Sequence, residues 1–186
     1  MLSGNASCIT GNPRTTYVWD RLQTMVGDSP WLASCHDALG NVYYTAATNP
    51  REITASNYSD EYAKIMSMQT NKIVIAGHSY GGWQAMNYVL QSPNIAWVLI
   101  TVDAISRNTC NYMTGRFSGC TTGLDFANGQ LQQIAQHRWI NLYETQTLVL
   151  HSIAMPEANE NVHVAAEHIG IEKSKEFWSR LDAVVR

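Results

Sequence analysis

A serine flanked by glycines is the part of this chain with the clearest chemical meaning. The stretch Gly77–Gly82 reads G-H-S-Y-G-G and directly follows the apolar run Ile73–Ala76. A strand, a sharp turn and a helix in that order push a serine hydroxyl out of the fold, in a strained backbone that only small neighbours tolerate. Gly77 and Gly81 are such neighbours. The pattern predicts that Ser79 is a nucleophile on a tight strand-to-helix turn.

The elements around this turn alternate between strands and helices. The continuous apolar run Ile95–Val102 is typical of a parallel strand that is buried on both faces. Other strands are predicted at Cys8–Thr10, Val42–Ala46 and Trp139–Tyr143, and helices at Val18–Val26, Tyr58–Ile65, Trp83–Gln91 and Lys175–Val185, the last capped by Ser174. This alternation predicts an α/β fold with a mostly parallel central sheet between two helical layers.

The domain organisation is predicted to be simple. The 186 residues, 45% of them apolar, suffice for a single domain over 1–186 with a substantial core. The segment Ser106–Gln130 is rich in Gly, Asn, Thr and Ser, which favours a long excursion from that domain over a linker between two domains. In a sheet of this kind, chemistry gathers beyond the carboxyl ends of the strands, where Ser79 and Asp103 are both expected.

These residues resemble those of the α/β-hydrolases, in particular the small lipases and esterases without a cap domain. The resemblance rests on Gly77–Gly82, the small-residue helix after it and the strand end at Val102–Asp103, and it covers most of the chain. It implies a three-layer α/β-hydrolase fold in a minimal form without a cap domain, and hydrolysis of a carboxylic ester through an acyl-serine, with no cofactor. Only seven residues precede the first predicted strand, which leaves no room for the antiparallel strands that open the usual sheet of this family. Either the protein is a minimal version or an N-terminal piece is absent.

A serine nucleophile needs a base, because its hydroxyl reacts poorly until its proton is removed. The resembling family orders nucleophile, acid and histidine along the chain, so the base should follow Ser79. His137 precedes a predicted strand and His151 lies in an apolar run, which favours structural roles for both. His163 and His168 lie between the last predicted strand and the final helix. His168 is preferred because it leads directly into that helix, where family members carry their base, and His163 is the alternative.

The base in turn needs a carboxylate near its far nitrogen, which fixes the tautomer of the imidazole. Asp103 is preferred because it ends the strand after the nucleophile's helix, a position that some lipases use. Most of the resembling family place the acid one strand later, where Glu144 is the runner-up. Asp125 could approach from the excursion. A structural interpretation of Asp103, as a strand-end carboxylate that caps a turn, also stands.

Backbone amides are expected to stabilise the oxyanion that develops during acyl transfer. The resemblance implies that Tyr80, the residue after the nucleophile, donates one of them. The second would come from Gly11 or Asn12 in the loop after the first predicted strand, since Pro13 has no N–H to donate. His78 is interpreted as a packing residue of the turn, with its side chain directed away from the reaction centre.

Charge and composition argue against several other classes of protein. The formal net charge is −3 and the basic residues are scattered, so nucleic acid is not an expected partner. No apolar run approaches the roughly 20 residues of a membrane-spanning helix, and Met1–Asn5 lacks the features of a signal peptide. We therefore expect a soluble chain, as it stands or as a mature form. His151, His163 and His168 with Glu157 or Glu160 lack the regular spacing of metal ligands, which predicts no metal site.

The four cysteines bear on the compartment. Cys110 and Cys120 bracket a polar loop of the kind that a disulfide commonly closes, which favours an oxidising, secreted or periplasmic setting. The alternative is a cytoplasmic enzyme with four unpaired thiols.

Three classes of function remain after this reasoning. A carboxylic ester hydrolase of the esterase or lipase type, with an open site for a small-molecule or lipid-like ester, is preferred. A thioesterase, an acyltransferase or a peptidase would use the same three side chains. A non-catalytic binding protein with a hydrolase fold is disfavoured, because the nucleophile and a downstream carboxylate and histidine are all present. The oligomeric state stays open.

Overall fold

A computed structural model describes the chain in several segments. It describes the backbone of Leu2–Ser3, Leu32–His36 and Val42–Ala46, and residues 73–105, 126–127, 129–146, 152–168 and 170–185. The elements predicted at Cys8–Thr10, Val18–Val26 and Tyr58–Ile65, and most of Ser106–Gln130, lie outside the described residues.

The described strands form one mixed sheet. In chain order they are β1 (Leu2–Ser3), β2 (Leu32–His36), β3 (Val42–Ala46), β4 (Ile73–His78), β5 (Trp97–Val102), β6 (Arg138–Tyr143) and β7 (Glu160–His163). Their order across the sheet is β3-β2-β1-β4-β5-β6-β7. Strands β4 to β7 form a four-stranded parallel sheet, β1 pairs in parallel with both β2 and β4, and β2 pairs with β3 in antiparallel.

Strand β5 lies at the centre of the parallel region, and all six of its residues are buried. Successive side chains of a strand point to opposite faces of the sheet, so a strand covered on both sides is apolar on both faces. The hydroxyl of Thr101, the polar exception, is paired with Asn141 Oδ1 and with Trp139 Nε1. Val98, Ile100 and Val102 belong to the core on one face, and Trp97 and Leu99 belong to the core on the other.

Helices cover the two faces of this sheet. They are α1 (Tyr80–Gln91), α2 (Gln130–Ala135) and α3 (Lys175–Val185). On one face, Met86 and Val89 of α1 and Ile134 of α2 belong to the same core cluster as Leu99. On the other face, α3 contributes four buried side chains to the second cluster, namely Phe177, Trp178, Leu181 and Val184. The predicted α/β arrangement of helices on both faces of a sheet is therefore confirmed.

Several predicted elements are found with their expected bounds. Strand β3 and helix α3 match the predicted residues, and Ser174 caps α3, because its Oγ accepts the backbone N–H of Phe177 at 3.2 Å. Helix α1 begins three residues earlier than predicted, at Tyr80 in place of Trp83. Strand β5 begins at Trp97, two residues later than predicted, and β6 begins one residue earlier, at Arg138.

The elements β1, β2, α2 and β7 were not predicted. Strand β7 reads Glu-Asn-Val-His, and only Val162 of these four residues is buried. A four-residue strand with a single buried apolar side chain has no period that can be distinguished from a loop.

Gly77 and Gly82 allow α1 to begin directly against the end of β4. A Cβ atom on Gly77 would lie 2.2 Å from the carbonyl oxygen of Gly81 and 2.7 Å from the backbone nitrogen of Gly82. A Cβ atom on Gly82 would lie 2.4 Å from the Cβ of Ala104. The obstacles at Gly77 are backbone atoms of the turn itself, so a larger residue there displaces the turn.

We expect the substitution Gly77→Ala to lower the free energy of unfolding by about 1–3 kcal/mol, the usual cost of overpacking a close contact. Urea denaturation followed by circular dichroism measures the change. Gln91→Ala, at the exposed end of α1, is the matched control and should shift the free energy by no more than about 0.5 kcal/mol. A Gly77→Ala protein as stable as the wild type would contradict this account of the turn.

Candidate functional site

Ser79 lies on the turn between β4 and α1, in a backbone conformation that non-glycine residues rarely adopt. Its φ is 57° and its ψ is −131°. Three backbone hydrogen bonds hold it there. Its N–H donates to the carbonyl of Val102 at 3.0 Å, and its own carbonyl accepts from Gly82 at 2.9 Å and from Ile105 at 3.2 Å. The predicted tight strand-to-helix turn is present, and the surrounding hydrogen bonds maintain its strain.

Asp103 occupies the equivalent place one strand further along the sheet. It follows the last residue of β5, its φ is 44°, and it is fully buried. Its backbone N–H donates to the carbonyl of Leu142 in β6 at 2.7 Å. Among the residues that the structure describes, Ser79 and Asp103 are the two non-glycine residues with positive φ. Strain of this kind costs on the order of 1–3 kcal/mol per residue and clusters at functional sites.

His168 joins these two side chains. Its Nε2 lies 3.0 Å from Ser79 Oγ, and its Nδ1 lies 2.5 Å from Asp103 Oδ2. The carboxylate can only accept a hydrogen bond, so Nδ1 carries a proton and donates it. In the neutral ring Nε2 is then the acceptor for the serine hydroxyl. The structure thus brings together the preferred nucleophile, base and acid, in the arrangement that lets an imidazole remove the serine proton.

Backbone amides orient the other oxygen of Asp103. Its Oδ1 accepts from the N–H of Ser152 at 2.7 Å and from the N–H of Glu144 at 3.4 Å. Both donors are backbone amides, which the fold holds in place. Oδ2 is thereby left to His168, and the charge of Asp103 faces the ring that would become positive during proton transfer.

Two asparagines anchor the loop that contains Ser152. Asn141 Nδ2 donates to the carbonyl of Ile153 at 3.0 Å and to Asn161 Oδ1 at 2.9 Å. Asn161 in turn accepts the N–H of Met155 and donates to its carbonyl, both at 2.8 Å. Each of these amide groups has a hydrogen-bond partner. The network holds the loop against β6, which contains Asn141, and against β7, which contains Asn161. Sequence reasoning missed it, because asparagines inside strands carry no local signal for such a role.

His78 lies behind His168. Its Nε2 is 2.9 Å from the carbonyl oxygen of His168, and the centroids of the two rings are 5.0 Å apart, with the planes tilted by 38°. The ring is fully buried. Burial lowers the pKa of His78, and the ring of His168 acts in the same direction, whereas the charges of Glu172 and Asp103 and the hydrogen bond to the His168 carbonyl act against it. The contact with His168 spans 90 residues of sequence, and no local pattern indicates it.

The alternative base and the alternative acid have other partners. His163 lies on β7, and its Nε2 is 3.0 Å from the hydroxyl of Thr145. Glu144 follows β6 and is fully buried, and one of its carboxylate oxygens accepts the backbone N–H of Gln146. The amide of Glu144 contacts Asp103, as described above. Within the described contacts, neither His163 nor the carboxylate of Glu144 is bonded to Ser79 or His168.

The predicted oxyanion donors are described in part. Tyr80 is the first residue of α1, so its N–H is not used by the hydrogen-bond ladder of the helix. Gly11 and Asn12, like Asp125, lie outside the described residues. Strand β1 ends beside the turn, because Ser3 pairs with His78, and the chain therefore leaves β1 at the same edge of the sheet as Ser79.

Further predictions concern metal ions, disulfides and membranes. In the described segments, no group of three or more His, Cys, Asp or Glu side chains is placed to hold a metal ion. The cysteine side chains lie outside the described residues, so the disulfide and the oxidising compartment stay predictions. None of the described helices is both long and apolar enough to span a bilayer.

The buried, neutral state of His78 predicts a pH dependence of stability. The pKa of His78 is lower in the folded protein than in the unfolded chain, so below about pH 6.5 the unfolded chain binds the additional proton. Stability from this residue is complete above that pH and is lost as the pH falls towards the folded-state pKa. We expect acidification from about pH 7 to about pH 5 to destabilise the wild type more than a His78→Gln variant, as urea denaturation at both pH values measures. Equal losses in the two proteins would contradict the burial argument.

Comparisons with models of known protein families, with curated proteins and with solved structures find no match to this chain.

Proposed function

We propose that this protein is a serine hydrolase that cleaves carboxylic esters through an acyl-serine intermediate. The observation that carries the proposal is the position of His168, within 3.0 Å of Ser79 Oγ and 2.5 Å of Asp103 Oδ2. Three residues from three different loops make this arrangement, and two of them have a strained backbone. A core-packing role accounts for neither the strain nor the alignment.

The proposal includes a minimal α/β-hydrolase fold without a cap domain. Support comes from the parallel strands β4 to β7, from the antiparallel strand β3 at the edge of the sheet, and from the turn between β4 and α1. The three side chains follow the ends of β4, β5 and β7, which is where α/β sheets collect their chemistry.

The reaction proceeds in two halves. As Ser79 Oγ attacks the ester carbonyl, His168 Nε2 takes the hydroxyl proton, and Asp103 stabilises the resulting imidazolium. The tetrahedral intermediate collapses to an acyl-serine when His168 returns that proton to the departing alcohol. Water then attacks the acyl-serine, with His168 again acting first as base and then as acid, which releases the carboxylic acid and restores Ser79.

The developing oxyanion requires donors that are already in place. The N–H of Tyr80 at the N-terminus of α1 is the proposed first donor, and the positive end of the helix dipole favours negative charge there. The second donor is proposed to come from the chain that follows β1. The leaving group distinguishes an esterase from a thioesterase, an acyltransferase or a peptidase, so substrates decide among these alternatives.

We expect Ser79→Ala to lower hydrolysis of a short-chain aryl ester by at least about a thousandfold, because removal of the nucleophile leaves only binding and oxyanion stabilisation. The assay compares kcat/KM on oxygen esters, thioesters and amides. Ser179→Ala, at an exposed position on α3, is the matched serine control and should retain wild-type activity. A folded Ser79→Ala protein with full activity would refute the mechanism.

The two candidate acids are separated by their amide variants. We expect Asp103→Asn to lower kcat by roughly 10³–10⁴-fold, because an amide no longer holds the tautomer with the proton on Nδ1 or stabilises the imidazolium. Glu144→Gln should retain most of the activity, since the amide N–H of this residue, which contacts Asp103, is unchanged. Both variants are assayed after circular dichroism has verified their folding. A larger loss in Glu144→Gln than in Asp103→Asn would assign the acid to Glu144.

A further inference from the structure

We propose that His78 is a positioning residue for the base, and that its neutral ring holds the loop of His168 by donating a hydrogen bond from Nε2 to the His168 carbonyl. The inference rests on the proposed function and extends it. It replaces the interpretation of His78 as a packing residue of the turn.

His78 connects the base directly to the nucleophile, because it precedes Ser79 in the chain and its ring contacts His168. His78 is the last residue of β4 and directly precedes Ser79, and its Nε2 lies 2.9 Å from the carbonyl of His168. His168 itself lies in the loop between β7 and the 3₁₀ turn Ile171–Lys173, outside the described strands and helices. The hydrogen bond from His78, at the end of a strand, therefore positions the backbone of His168 relative to the adjacent Ser79.

The hydrogen-bond chemistry selects one form of the His78 ring. A carbonyl oxygen only accepts, so Nε2 must carry a hydrogen. Nδ1 is buried and has no hydrogen-bond partner among the described residues. A second proton there would bury a charged donor without an acceptor, which is strongly unfavourable. The neutral ring with its proton on Nε2 therefore suits this position.

A neutral His78 also suits the reaction. His168 becomes positive when it takes the serine proton, and its ring centroid is only 5.0 Å from that of His78. A charged His78 would repel this imidazolium and would compete for the charge of Asp103. Burial, the largest effect, and the ring of His168 oppose the charged form, whereas the charges of Glu172 and Asp103 and the hydrogen bond to the His168 carbonyl favour it.

Three substitutions distinguish the effect of losing the Nε2 donor from the effect of losing the bulk of the ring. The amide nitrogen of Gln in His78→Gln reaches about as far as Nε2, whereas that of Asn in His78→Asn reaches only to the level of Nδ1, and His78→Leu has no donor. The readout is the rate constant for covalent labelling by a fluorophosphonate, together with kcat and KM on an ester that the wild type cleaves. We expect His78→Gln to stay within a few-fold of the wild type. His78→Asn and His78→Leu should lose about a hundredfold in labelling rate and in kcat, with little change in KM, as for a misplaced catalytic group.

The outcomes distinguish this inference from the proposed function. If the wild type is labelled and all three variants react at the wild-type rate, or all three are equally slow, the positioning role is wrong and the hydrolase proposal stands. If the folded wild type is not labelled at all, the proposed function fails, and the positioning role fails with it.

Nitrogen-15 NMR of the histidine rings in the wild-type protein tests the ring form without any variant that must be active. We expect His78 to show a protonated Nε2 and a bare Nδ1, unchanged from about pH 8 to about pH 6, the range in which ordinary histidines gain charge. His78→Gln assigns the signal by its disappearance. A proton on Nδ1 alone, or a His78 that becomes charged across this range, would overturn the proposal even if every variant were inactive.

Discussion

The parallel register of β4, β5 and β6 is the constraint on which the rest of the site depends. His78 pairs with Val102, and Val102 pairs with Leu142, so the three strands end at nearly the same level. The ladder continues for one further hydrogen bond at each strand, from Ser79 to Val102 and from Asp103 to Leu142. Both residues then turn out of the sheet with positive φ. A register shift of one residue would reverse the faces to which their side chains point.

Most of the polar groups behind this edge are buried, and buried polar groups stabilise a structure only when they are paired. The two oxygens of Asp103 are shared between His168 on one side and the amides of Ser152 and Glu144 on the other. Asn141 and Asn161 hold the loop of Ser152, and His78 forms a hydrogen bond with the carbonyl of His168. Loops without regular structure are thus fixed by side chains of the strands beneath them. Such preorganisation is what an electrostatically assisted reaction requires, because reorientation during the reaction costs free energy.

The elements that could be predicted from the sequence are those with a strong local pattern. The turn at Ser79 was predictable from glycines after an apolar run, and Asp103 from the end of a fully buried strand. The choice of His168 over His163 came from the order of residues in the resembling family and from proximity to the final helix, since the sequence alone placed both histidines between the last predicted strand and that helix. The polar strand β7, the asparagine network and the contact between His78 and His168 were not predictable. Each depends on residues far apart in the chain, and pairing between distant residues leaves no periodic signal.

Activation of Ser79 is the central claim, and labelling with a fluorophosphonate followed by mass spectrometry of the intact protein and its peptides tests it most directly. The reagent reports an activated serine whatever acyl group the protein acts on. The account predicts one adduct per chain, on the peptide that contains Ser79, and no adduct in the Ser79→Ala variant. A folded protein that takes up no label, or that is labelled at another serine, would contradict it.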